Sequence, residues 1–128
     1  MTEIGTGSGG EFKAPWKKRK EAYLSHLGSV SQSALLISVC DKLQSVRSLV
    51  DIVDMYGDDA YKEFAKKEYA TVEERKAAVL WFHRSLVTAF LERYKVLKKG
   101  QINDLRLLAI QSCIFNFDNI VKHLEESV

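Results

Sequence analysis

Many common signatures of enzymes and membrane proteins are absent from this 128-residue sequence. It contains no HExxH, CxxC, GxGxxG, P-loop or GxSxG pattern, so the usual motifs for zinc proteases, redox pairs, nucleotide folds and serine hydrolases are missing. No apolar run is long enough to span a bilayer, and no signal-peptide pattern opens the chain. We therefore expect a cytoplasmic protein with no membrane partner.

Cysteine and proline are also scarce, with two residues of the first and one of the second. Cys40 and Cys113 lie among apolar residues at helical spacing and have no Cys or His neighbour in sequence. We expect both to be buried, reduced thiols rather than disulfide partners or metal ligands.

Size and charge are those of an ordinary folded domain. The length suits one domain, and hydrophobic residues make up 46% of the chain. The formal net charge of +2 is too small to require a nucleic-acid or membrane partner.

The first twelve residues, MTEIGTGSGGEF, differ from the rest because they are rich in Gly, Ser and Thr and show no periodicity. We interpret residues 1–12 as a disordered leader derived from a cloning vector, since an EcoRI site encodes the closing Glu-Phe pair. A native, trimmed N-terminus is the alternative. Residues 13–128 form the helical domain.

Caps and apolar spacing in that domain predict an all-α fold, an irregular bundle of four main helices plus a short helix. No useful β-type alternation competes with the 3.6-residue period. Ser31 caps the second helix and Gly57 follows it, while Thr71 and Glu74 form a capping box. The predicted spans are 15–27, 31–56, a short helix at 59–67, 71–97 ending at Gly100, and 102–124.

The apolar spacing also predicts which side of each long helix faces the core. The second helix is expected to turn inward Leu36, Val39, Cys40, Leu43, Val46, Val50 and Val53. The last helix is expected to turn inward Leu105, Leu108, Ala109, Ser112, Cys113, Phe117, Ile120 and Leu124. Asp41 falls on the opposite, polar face of the second helix, together with Ile37, Gln44, Ser45 and Ser48.

Histidines and one basic run are the remaining candidates for chemistry. His26, His83 and His123 share no ligand spacing, which favours structural or solvated roles. The KKRK run at 17–20 lies beside Trp16 and Tyr23, and such a pattern can bind single-stranded nucleic acid. The balanced charge of the rest favours a solvated face, so nucleic acid is not an expected partner.

Three segments resemble bacterial HD-domain proteins, in the same order. PWKKRKEAY (15–23) is similar to their "PWRERKEAY", SVCDKLQSVRSL (38–49) to "SLADKLHNARSL", and LWFHRSLV (80–87) to "LWYYRSLV". The guanosine-tetraphosphate hydrolases of the stringent response carry a related pattern. The resemblance spans roughly 15–94 and implies the C-terminal half of an HD-type metal-dependent phosphohydrolase.

The resemblance implies a partial site. The family holds a divalent metal, typically manganese, with a His, a His-Asp pair and the Asp of "ADKL", and only the last maps here, onto Asp41. Arg19, Lys20, Lys42 and Arg47 match positions that help to line an anion-binding cleft. Gln44 and Ser45 replace the family's His-Asn, which lies near the nucleotide. No catalytic residue is assigned, and no cofactor is expected for this chain.

Two main hypotheses follow, beside the weaker one that the chain binds nucleic acid through the KKRK run at 17–20. The first is a truncated or degenerate HD-type phosphohydrolase domain, inactive alone, which binds nucleotide only if a complete site exists. A reading frame upstream of Lys13 that encodes the His and His-Asp ligands would support it. The second is a non-catalytic helical interaction module that forms a homodimer, because Ile37 lies on the polar face and the adjacent Trp81 and Phe82 point about 100° apart. The alternative is a monomer in which the last helix, with Phe115 and Phe117, covers the exposed face.

Overall fold

A computed structural model describes residues 15–99 and 104–127 of the chain. Every regular element in those two ranges is helical, which confirms the predicted all-α class and its four main helices. They are α1 (Trp16–His26), α2 (Gln32–Tyr56), α3 (Val72–Lys98) and α4 (Leu105–Glu126). Tight 3₁₀ turns cover Leu27–Ser29 and Gly57–Tyr61.

The predicted helix ends agree with the structure where the caps are local. The Ser31 side chain accepts from the Ala34 N–H at the start of α2, and Gly57 follows its last residue with φ +64°, where a side chain would be strained. Thr71 and Glu74 form the expected reciprocal capping box. Four predictions lie outside the described residues, namely the disordered leader, the start of the domain at 13, the stop at Gly100 and the helix start near 102.

The segment after α2 differs from its prediction. The expected short helix at 59–67 is a 3₁₀ turn that ends at Tyr61 and is followed by turns. Ala65 has φ +48°, a left-handed conformation that interrupts helical hydrogen bonding. Arg75 of α3 then holds this loop by donating to the carbonyl oxygens of Tyr69 and Lys62 at 3.0 and 2.9 Å.

One core joins the helices. α4 packs against both α2 and α3, whereas α1 packs mainly against α3. The fully buried large side chains come from α2, α3, α4 and the two 3₁₀ turns: Tyr61, Phe90, Phe117, Leu27, Leu35, Leu86, Ile110, Ile114 and Leu124. Arg84 of α3 adds a two-pronged ion pair to Glu125 of α4, at 3.0 and 2.7 Å, and this fixes how the two helices lie together.

The predicted inward face of α2 is largely right, and that of α4 is rotated. Val39, Leu43, Val46 and Val53 are buried as expected, and Leu36 and Val50 are half-buried. On α4, Phe117 and Leu124 are buried as expected, but the other buried side chains are Leu107, Ile110, Ile114 and Val121. Leu105 and Leu108 are exposed, because α4 has apolar residues on more than one face and its two neighbouring helices decide which face they cover.

Two expectations based on burial are wrong. Cys40 is exposed and Cys113 is only half-buried, so neither is the fully buried thiol that the spacing predicted. Trp81 and Phe82 do not leave a bare face on α3, because α1 covers both. The Trp16 ring lies 6.4 Å from the Trp81 ring and 6.2 Å from the Phe82 ring.

The turn between α1 and α2 is held in place by α3. The Arg93 guanidinium donates to the carbonyl oxygens of Val30 at 2.8 Å and Gly28 at 3.1 Å. At the other end of α1, Pro15 makes no side-chain cap, and the Lys17 N–H donates instead to the Glu68 carboxylate at 3.1 Å. Both ends of α1 are thus anchored while α2 packs mainly on α4, so a cleft opens between α1 and α2.

Candidate functional site: a cationic cleft between α1 and α2

The cleft between α1 and α2 has a volume of about 570 Å³. This is within the range of about 300–1,000 Å³ that is usual for small-molecule sites. The side chains of Arg19 and Lys20 line it from α1, and those of Asp41 and Lys42 line it from α2. Among the described residues that line this concave surface, three are therefore cationic and one is a carboxylate.

Four of the five residues predicted for a site are brought together here. Arg47 is the exception, because it is exposed on α2 and does not line the cleft. It lies six residues after Asp41, which is about one and two-thirds helical turns, so it faces another direction. The assignment of Arg47 to the same anion site is therefore not supported by its position.

Aromatic rings fix where the lysine ammonium groups lie. Lys20 Nζ is 4.9 Å from the centre of the Phe82 ring and 5.5 Å from that of Trp16. Lys42 Nζ is 4.8 Å from the Tyr23 ring centre. Such contacts are worth roughly 0.5–2 kcal/mol each, and they hold flexible side chains at the cleft wall.

Asp41 projects into the cleft and is two-thirds exposed. Its carboxylate lies 3.6 Å from Lys42 Nζ, so the neighbouring cation offsets part of its charge. The residues predicted to share this face of α2 are exposed as well, namely Ile37, Gln44, Ser45 and Ser48. Within residues 15–99 and 104–127, no three His, Cys, Asp or Glu side chains form a group that could hold a metal ion.

Sequence reasoning missed three polar residues that line the cleft, namely Tyr23, His26 and Ser38. His26 had been expected to be structural or solvated. A signal for it exists in the sequence, because positions 19, 23 and 26 follow the 4, 3 spacing of one helical face. Ser38 precedes Asp41 by three residues and therefore shares its face of α2.

His83 lies behind the cleft wall rather than in it. Its ring is buried between Phe82 and Phe117, and Nδ1 is 2.8 Å from the Val79 carbonyl oxygen. Because a carbonyl only accepts, Nδ1 carries the proton of the neutral ring. Burial lowers the pKa of His83, and the positive charges of Lys42 and Lys20 lower it further. The burial of His83 agrees with the structural role that was expected because the histidines share no ligand spacing.

The KKRK run is divided between two environments. Lys17 Nζ lies 5.2 Å from the Trp81 ring centre, outside the cleft, and Lys18 is exposed. Arg19 and Lys20 face the cleft. The ring of Trp16 is half-buried against the core and also lies under Lys20, so it does not form an open platform for a stacked base.

Comparisons with known proteins returned no relative of this chain. No protein-family model, no curated protein and no solved structure matches it. In the part of the chain that the structure describes, no helix is both long and apolar enough to cross a membrane.

Proposed function

We propose that this chain is a truncated or degenerate HD-type phosphohydrolase domain whose α1–α2 cleft still binds phosphate groups. One observation carries the proposal: residues from two separate segments, Arg19 and Lys20 in one and Asp41 and Lys42 in the other, line the same cleft. The resemblance to HD-domain proteins assigns these same positions to a metal and anion site.

The electrostatics of the cleft favour an anion. Of the described residues that line it, three are cations and one is a carboxylate, and rings hold two of the ammonium groups in position. A bound phosphate would accept hydrogen bonds from groups that are already partly ordered, so little side-chain entropy is lost on binding. Arg19 adds a planar donor that suits two phosphate oxygens at once.

We further propose that this chain alone does not hydrolyse its ligand. A metal that activates water for attack on phosphorus needs several protein ligands, and Asp41 supplies one. That carboxylate is also engaged with Lys42 at 3.6 Å. Manganese would be the cofactor only of complete relatives, which possess the His and His-Asp ligands.

Titration calorimetry with inorganic pyrophosphate and with guanosine diphosphate tests the binding. Lys42→Met and Lys20→Met each remove a cleft charge and keep the apolar stem. Since a hydrogen bond to a charged group is worth about 1.5–3 kcal/mol, each should weaken binding about 10- to 100-fold. Lys18→Met is the matched control, because Lys18 is exposed and does not line the cleft.

Three results would contradict the proposal. The first is no binding of either ligand at millimolar concentration. The second is an equal loss of affinity in Lys18→Met, which would indicate non-specific charge attraction. The third is phosphate release from either ligand in the presence of manganese. If Asp41→Asn abolished that release, the chain would be an enzyme as it stands.

A second candidate is a helical interaction module that forms a homodimer. The observation that favours it is the set of large apolar side chains left in solvent: Ile37 is 70%, Leu105 is 78% and Phe115 is 53% exposed. Exposed apolar patches often mark contact sites between chains. Sedimentation equilibrium over a range of concentrations tests it, and a single species of 14.6 kDa throughout would exclude the dimer.

A further inference from the structure

Ile37 is a large apolar side chain on the polar face of α2, and phosphate binding in the cleft does not account for it. The residue is 70% exposed and lines the α1–α2 cleft. Ala34 and Asp41 also line the cleft and share its face, because residues three and four apart lie above one another on a helix. A rise of about 1.5 Å per residue places Ala34 about 10 Å from Asp41 along the helix axis. The α2 wall therefore changes from apolar to charged along its length.

The two ends of the cleft differ in charge. At one end Lys20 and Lys42 both lie over the Phe82 ring, with their Nζ atoms 4.9 and 6.0 Å from its centre. At the other end, none of the described lining residues between positions 26 and 37 is an Asp, Glu, Lys or Arg, and they are His26, Val30, Ala34 and Ile37. A ligand that spans the cleft therefore meets cations at one end and mainly aliphatic carbon at the other.

We propose that the ligand of this cleft is a phosphomonoester of a short aliphatic alcohol, with its phosphate at the Lys20–Lys42 end and its hydrocarbon chain along Ala34 and Ile37. The inference rests on the proposed phosphate binding and adds the class of compound. Each methylene that is fully buried tightens binding about fourfold, a gain that inorganic phosphate forgoes. A nucleotide base at the apolar end would need hydrogen-bond partners, and of the described side chains lining that end only His26 has a polar group.

The same phosphate group occurs in free alkyl phosphates and in the phosphatidic acid of bilayers. The structure favours the free compound. Val30 lies in the connector between α1 and α2 and lines the apolar end, and Arg93 holds this connector by donating to the Val30 carbonyl oxygen at 2.8 Å. Two long acyl chains would have to pass this connector, whereas a short chain ends before it.

Titration calorimetry with ethyl phosphate, hexyl phosphate and inorganic pyrophosphate tests the proposal. Hexyl phosphate has four more methylenes than ethyl phosphate and should bind at least about tenfold more tightly, even if the cleft buries only half of them. Ile37→Ser should remove most of this preference and leave the affinity for pyrophosphate unchanged. Met55→Ser is the matched control, because Met55 is on the same helix, is also 70% exposed and does not line the cleft. It should change neither affinity.

The pyrophosphate titration separates this inference from the proposed function. Equal affinities for ethyl and hexyl phosphate, beside normal binding of pyrophosphate, would overturn the inference and leave the phosphate site standing. Failure of all three ligands to bind would contradict the phosphate site itself, and the inference with it. An equal loss of the hexyl preference in Met55→Ser would mean that the chain adheres to apolar surface in general.

Two further ligands test the class of compound. Guanosine diphosphate that binds more tightly than hexyl phosphate, and is weakened by Ile37→Ser, would show that the apolar end takes a base instead. Phosphatidylcholine vesicles that contain phosphatidic acid supply the lipid form. Sedimentation of the wild type with them, but not of Ile37→Ser, without any binding of hexyl phosphate, would assign the cleft to a membrane lipid and overturn the free compound.

Discussion

Replacing Phe117 and Phe115 of α4 separately by alanine tests which side of that helix faces the core. Phe117 is fully buried, and its ring packs edge-on to Phe90 at 5.5 Å and stacks on His83 at 6.2 Å. Phe115 is 53% exposed. The two substitutions are chemically identical and lie on one helix, so any difference between them comes from packing.

The expected cost for Phe117→Ala is about 4 kcal/mol, since removing a buried phenylalanine costs roughly 3–5 kcal/mol and the edge-on ring contact adds to the loss. Phe115→Ala should cost about 1 kcal/mol or less, because half of that ring is already in water. With a urea slope of about 2 kcal/mol per molar, Phe117→Ala lowers the midpoint by about 2 M.

Urea denaturation followed by circular dichroism measures both variants. A cost of about 4 kcal/mol is a large part of the roughly 5–15 kcal/mol available to a domain, so Phe117→Ala could fail to fold. Phe117→Leu then provides a milder comparison, with an expected cost below about 1.5 kcal/mol. Equal costs for Phe115→Ala and Phe117→Ala in dilute protein would refute the described orientation of α4. A cost for Phe115→Ala that grows with protein concentration would indicate that a second chain covers Phe115.

Two further predictions concern stability. The pKa of His83 is lowered from its ordinary 6.5, so just below that pH the unfolded chain binds more protons than the folded chain. The stability of the fold is therefore kept above pH 6.5 and is lost as the pH falls below it. Urea midpoints between about pH 7.5 and 5 should therefore fall more steeply in the wild type than in His83→Asn, and parallel curves would contradict the burial of a neutral ring. Thr71→Ala removes the side-chain acceptor for the Glu74 N–H and should cost about 1 kcal/mol, whereas Thr88→Ala, an exposed threonine inside α3, should cost about 0.5 kcal/mol or less. Thermal melts of both variants compare the two costs, and equal costs would mean that the capping box does not stabilise α3.

Features that depend on near neighbours in the chain were predictable from the sequence. Ser31 and Thr71 cap their helices through hydrogen bonds that span only three residues, so the local sequence contains all of the needed information. The placement of Asp41 on an exposed face followed from one helical period applied to α2, which has a single broad apolar face. The same period, applied to α1, would have placed His26 beside Arg19 and Tyr23.

Features that depend on which helices meet were decided only by the tertiary structure. α4 offers apolar residues on several faces, and the choice of Ile110 and Ile114 over Leu105 and Leu108 came from its packing against α2 and α3. Helical periodicity gives directions around one axis only, whereas a cleft or a sheltered ring requires the relative position of two axes. That position is set by the shared core and by long-range ties such as Arg93 to Val30, which no local pattern contains.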